Sequence, residues 1–109
     1  MKKKVSKKDM AFLKKLMADF NDYSELVALN YEQKKEKPEF DEGTLQWNRG
    51  HLYCVEEIMT NFAHSCGVKL VFTCGTHPFL ERQLEYMTVH LEGEDTTYHR
   101  TKSSDFQVR

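Results

Sequence analysis

No apolar run in the 109-residue chain approaches the roughly 18 residues that a membrane span requires. Its lysine-rich start leads into an amphipathic pattern, not the apolar stretch of a signal peptide. A cytoplasmic location with no membrane partner is therefore expected. Charge of one sign is also missing. Sixteen basic side chains face seventeen acidic ones, a net charge of −1, so the molecule as a whole has no general attraction for nucleic acid or anionic lipid. Cysteine is scarce and odd in number, at three, which argues for reduced thiols and against a disulfide framework. There is no glycine-rich loop to cradle a phosphate, no serine-centred elbow and no helical pair of histidines with a glutamate between them. Glu56 and Glu57 are adjacent, and neighbours on a helix point about 100° apart, so they do not form an acid and base pair. The protein is expected to be non-catalytic and to hold no cofactor. With no internal repeat and no low-complexity linker, residues 1–109 make one domain, with a disordered basic head over 1–5 and a flexible tail over 103–109.

What is present is patterned. The stretch Thr44–Cys66 places Leu45, Asn48, Leu52, Val55, Met59, Phe62 and Cys66 at alternating steps of three and four, one helical face with a single polar member. Gly67 follows as a helix stop. This helix is expected to be the element around which the rest is organised. The preceding segment carries the same rhythm in Met10, Leu13, Met17, Phe20, Ser24, Val27 and Tyr31. Ser6, with Asp9 three residues on, opens that helix as an N-cap. Pro38 ends it, giving a span of about Lys7 to Lys35. The connection over residues 36–43 is short enough to force an antiparallel hairpin, with Phe40 closing its end. The flank made of Trp47, Cys54 and Ile58 is expected to be covered by the C-terminal third.

In that third, Val68–Cys74 reads as a strand with both faces apolar and hence buried. Leu84–Leu91 reads as a strand by its alternation of Met87, Val89 and Leu91, or as a helix by the spacing of Leu80, Leu84, Met87 and Leu91 after Pro78. The strand is preferred because Thr88 and Val89 are β-branched and Glu92–Asp95 resembles a turn into a further strand, Thr96–Thr101. The fold class expected is α+β: a long antiparallel helical hairpin followed by a small antiparallel sheet of two or three strands.

Four groupings bear on function. His64, Cys66, Cys74 and His77 supply zinc-type ligands, but a strand separates the cysteines, so the preferred reading has both as small buried hydrophobes and zinc stabilisation is the alternative. His51 and Cys54 lie one turn apart with nothing to orient the imidazole, which favours a packed thiol. Charge is strongly uneven: residues 1–15 carry +6 and residues 16–64 carry −6. The lysines Lys2, Lys3, Lys4, Lys7 and Lys8 could contact phosphates, which makes nucleic-acid binding the alternative function. Finally, Trp47, Arg49 and Tyr98 with the acidic residues Glu56, Glu57, Glu94 and Asp95 have the composition of a protein-binding surface, although a domain's only tryptophan more often serves its core. Uncovered Tyr23 or Trp47 flanks would suit a homodimer.

The segment LQWNRGHLYCVEEIM is similar to the second helix of many small accessory proteins encoded by phages, which share an Asn-x-Gly opening, here Asn48-Arg49-Gly50, ahead of an acidic amphipathic helix. The resemblance covers about fifteen residues and assigns no site residue. It implies a host-directed role, in which a small acidic protein binds a larger host protein as an inhibitor or modulator.

Overall fold

The computed structural model describes residues 5–37, 39, 42–76 and 84–93, and the expectations placed on Pro38, Phe40, His77, Leu80 and residues 1–4 and 94–109 lie outside them. The chain is α+β. Helix α1 (Lys7–Glu36) and helix α2 (Glu42–Cys66) form an antiparallel hairpin, followed by strands β1 (Leu70–Thr76) and β2 (Glu85–Leu91) in an antiparallel two-stranded sheet. The second apolar segment of the C-terminal third is thus the strand expected from its alternation.

The helix ends follow local chemistry. Ser6 is extended (φ −67°, ψ 157°), and its hydroxyl accepts from the Asp9 N–H at 3.1 Å, satisfying a donor that has no partner within the helix. At the other end Lys37 turns extended (φ −129°, ψ 96°), as a residue before proline must. Helix α2 closes on a Schellman turn. Gly67 takes φ +71°, its N–H donates to His64 O at 3.0 Å and the Val68 N–H donates to Ala63 O at 3.0 Å. The side-chain-free Gly67 makes that left-handed residue inexpensive in strain and turns the chain toward the sheet.

The organising element is α1, which corrects the expectation for Thr44–Cys66. The core joins Leu13, Leu16, Met17 and Phe20 of α1 to Val55, Met59 and Ala63 of α2 on one side and to Val89 and Leu91 of β2 on the other. Helix α2 buries one stripe, Leu45, Asn48, Val55, Met59 and Ala63, whereas α1 also buries Asn21 and Glu25 beside its seam. Those polar residues open a second face, and the sheet packs there, on α1. The flank of α2 expected to meet the C-terminal third is therefore left in solvent.

Asn21 explains how a helix accepts the edge of a strand. Its amide donates to Val89 O at 3.2 Å and accepts from the Val89 N–H at 2.7 Å, as a neighbouring strand would. Val89 faces Phe72 in the ladder, and its backbone groups point away from β1 to this amide. Tyr86, Thr88, Val89 and Leu91 of β2 are buried in consequence. β1 is the outer strand, with Phe72 and Cys74 exposed, and the expectation that Val68–Cys74 would be buried is corrected. A two-stranded sheet packed by one edge against a helix can cover only the strand next to it. Phe72 still meets α1, its ring in a T-shaped contact with that of Phe20, with centroids 5.5 Å apart.

Candidate interaction surface

Residues along α2 advance by about 100° each. The buried stripe through Leu45, Asn48, Val55 and Met59 therefore has two flanks: one carries Trp47, His51, Cys54 and Ile58, the other Arg49, Tyr53 and Glu56, with Glu57 beside it. The two residues expected to act together, Trp47 and Arg49, are two positions apart, or about 200°, and fall on different flanks. Trp47 is 74% exposed, which corrects its placement as a core residue. Cys54 is exposed and Ile58 is 52% exposed, which likewise corrects the packed thiol.

On the second flank Arg49 is held by aromatic rings. Its guanidinium carbon lies 6.0 Å from the centroid of Tyr31, across the hairpin on α1, and 5.8 Å from that of Tyr53, one turn along α2. It also donates to the Tyr53 hydroxyl and to Gln46 Oε1, both at 3.4 Å. The hydrogen bond to Tyr53, followed by the electrostatics of Tyr31 and Tyr53, raises the pKa of Arg49 above its ordinary value. A planar cation over two rings is thus positioned while only half-buried.

Tyr31 reaches Arg49 because it is not in the seam where its spacing places it. Asn30 is there instead, 2% exposed, and Asn48 donates to its Oδ1 at 2.7 Å across the helix pair. The Asn30 amide in turn donates to Gln33 Oε1 at 3.1 Å. With this polar pair filling the seam, Tyr31 stays on the rim, 47% exposed, and Tyr53 opposite is 56% exposed. Beside Tyr31 a hollow of about 560 Å³ opens between α1 and the start of β2, lined by Ala28, Tyr31, Glu32, Leu84 and Glu85.

Of the residues singled out from the sequence, Arg49 and Glu56 fall on one flank, Trp47 stands on the other, Glu57 points outward between the two, and Glu94, Asp95 and Tyr98 lie outside the described residues. Tyr31 was missed as a site member, and Tyr53, noticed from the sequence only as an aromatic residue off the seams, was not paired with Arg49, although their spacing of four is enough to pair them.

His64 is exposed near the end of α2, Cys66 is half-buried at its last residue and Cys74 is exposed in β1. The expectation that Cys74 is a buried hydrophobe is corrected, since it lies on the outer strand. Among the described residues no group of three histidine, cysteine or acidic side chains could hold a metal ion. The His51 ring is not poised toward Cys54 but stacks on Tyr23, with centroids 4.0 Å apart and planes 16° from parallel. Lys7 and Lys8 are exposed in the first turn of α1. No described helix is long and apolar enough to cross a membrane.

No protein-family model, curated protein or solved structure matches the chain.

Proposed function

We propose that the protein is a small non-catalytic binding module that recognises a larger protein through the Arg49 flank of α2, as a phage-type inhibitor or modulator does with its host target. The observation that carries this reading is Arg49 held between Tyr31 and Tyr53 on an exposed surface. Arginine and tyrosine are the side chains that most often dominate binding energy, and here they are ordered in advance, so little conformational freedom is lost on association. Glu56 on the same flank, Glu57 at its outer margin and Glu85 at the adjoining hollow add acidic side chains around it, which favours a basic partner.

Affinity capture from lysate of the native host, with identification by mass spectrometry, tests this reading when run with three baits. The wild type and Lys7→Gln/Lys8→Gln should retain the same protein, while Arg49→Ala/Tyr53→Ala should lose it. Because Arg49 and Tyr53 are not core residues, unchanged circular dichroism will show that the fold survives. Retention of the same partner by the Arg49→Ala/Tyr53→Ala bait would overturn the assignment, as would nucleic acid, in place of protein, as the captured species.

A further inference from the structure

The flank that carries Trp47 is separate from the Arg49 surface and turned the other way. Along α1, Asn21 and Tyr23 are two residues apart and so point about 200° apart. Asn21 reaches β2, whereas Tyr23 stacks on His51. The His51 flank of α2 therefore looks away from the sheet, and the hairpin has a back face that no element among the described residues covers. Trp47 is 74% and Ile58 52% exposed there, and Phe12, which meets Phe62 edge-on at 4.9 Å, continues the stripe onto α1 at 45% exposure.

We infer that this back face binds a second copy of the chain, forming an antiparallel dimer whose two hairpins make a four-helix bundle. Three features choose a second copy as the occupant. The first is spacing. Trp47, His51, Cys54 and Ile58 follow one another at steps of four, three and four, a pattern that reads the same in both directions. A two-fold axis crossing α2 midway between His51 and Cys54 thus brings Trp47 onto Ile58 of the partner subunit and His51 onto the partner's Cys54, and the surface is complementary to itself. Large meets medium at the ends, and at the centre the small Cys54 leaves room for the partner's imidazole.

The second feature is charge. The stripe on α2 holds no carboxylate, lysine or arginine, so two identical stripes meet without strong repulsion, whereas a protein steered by the acidic body would be drawn to the other flank. The third is area. α2 has 25 residues, which at a rise of about 1.5 Å per residue makes it about 37 Å long. Two helices side by side at the usual axis separation give a face about 18 Å wide. Back-to-back contact then covers roughly 650 Å² of each copy, near the about 800 Å² per partner of a standard specific interface. Bundles of this kind are also a common way for paired amphipathic helices to bury a remaining apolar stripe.

Sedimentation equilibrium of the full chain over a dilution series gives the test, with Trp47, the only tryptophan, reporting by its fluorescence. The expected result is a mass twice the 12.9 kDa of the chain at the concentrated end, with Trp47 emission moving to longer wavelength as the dimer dissociates. Trp47→Glu and Ile58→Glu should each give a monomer with unchanged circular dichroism, since both side chains are already in solvent in the single chain. Arg49→Ala/Tyr53→Ala should remain dimeric, which separates this interface from the partner-binding flank. A monomer throughout the series, or a dimer that survives Trp47→Glu, would overturn the inference.

Discussion

The side chain of Asn21 holds the backbone of Val89 by both of its polar groups, donating to the carbonyl at 3.2 Å and accepting from the N–H at 2.7 Å. This contact joins residues 68 positions apart, is buried, and makes α1 serve as the missing neighbour of β2. It decides which face of the helical hairpin receives the sheet, and hence which face of the hairpin stays open.

Asn21→Ala should therefore destabilise far more than the loss of a surface asparagine. It leaves a buried donor and a buried acceptor without partners, each costing about 1–3 kcal/mol. Chemical denaturation should show a loss of about 2–5 kcal/mol, and amide exchange at Val89 should accelerate ahead of exchange in α2. A loss within the about 0.5 kcal/mol typical of surface substitutions would show that the amide does not anchor the sheet.

Asn30 and Asn48 form the polar step in an otherwise apolar seam, 2.7 Å apart. Replacing one of them by leucine orphans the other and should cost about 1–3 kcal/mol, whereas replacing both should recover most of that loss. Additive losses in the two single variants and the double variant would contradict coupling between them.

Much of the fold was legible in the sequence because helix ends are local. Ser6, Pro38 and Gly67 act on their immediate neighbours, and the three-and-four spacing of the seams follows from helix pitch alone. The central element was not legible. Both helices carry a seam of the same period, and what distinguishes α1 is a second face marked by Asn21, a residue type that reads as solvent-facing until a strand edge is brought to it. The placement of Trp47 failed for a related reason. Its size argues for the core only if something covers its flank, and the sheet went to α1 instead. The separation of Trp47 from Arg49 was within reach, since two helical positions always diverge by about 200°. The position of Tyr31 was not, because it depends on the cross-helix contact of Asn30 with Asn48.

The lysine at the end of α1 and the acid at the start of α2 offer a pH-dependent check on the hairpin connection. Lys34 Nζ donates to Glu42, as does Gln46 at 3.0 Å, and the Lys34 bond is the main reason that the Glu42 carboxyl is held below the usual carboxylate value. A carboxyl lowered in the folded state stabilises above its unfolded pKa, and that contribution disappears as pH falls through the folded value. Both side chains are exposed, so the effect on stability is small. An NMR titration should find Glu42 ionising below the usual carboxylate range, and Lys34→Met should move it upward. An unchanged titration in that variant would remove the ion pair from the description of the connection.

Association kinetics with the partner captured by the wild-type chain provide the most direct measurement of the central claim, that recognition runs through the Arg49 flank and its acidic surround. The comparison needs Glu56→Lys/Glu57→Lys and Lys7→Gln/Lys8→Gln. The lysines are substituted and not deleted, because removing the segment would also remove the Ser6 cap of α1. Reversing the two acids should slow association by about tenfold at low salt, with a difference that shrinks as ionic strength rises and little change in dissociation. Replacing the lysines should leave both rates as in the wild type. An association rate unaffected by the acid reversal but abolished by the lysine replacement, with affinity falling steeply as salt is added, would contradict the claim and assign recognition to the basic head.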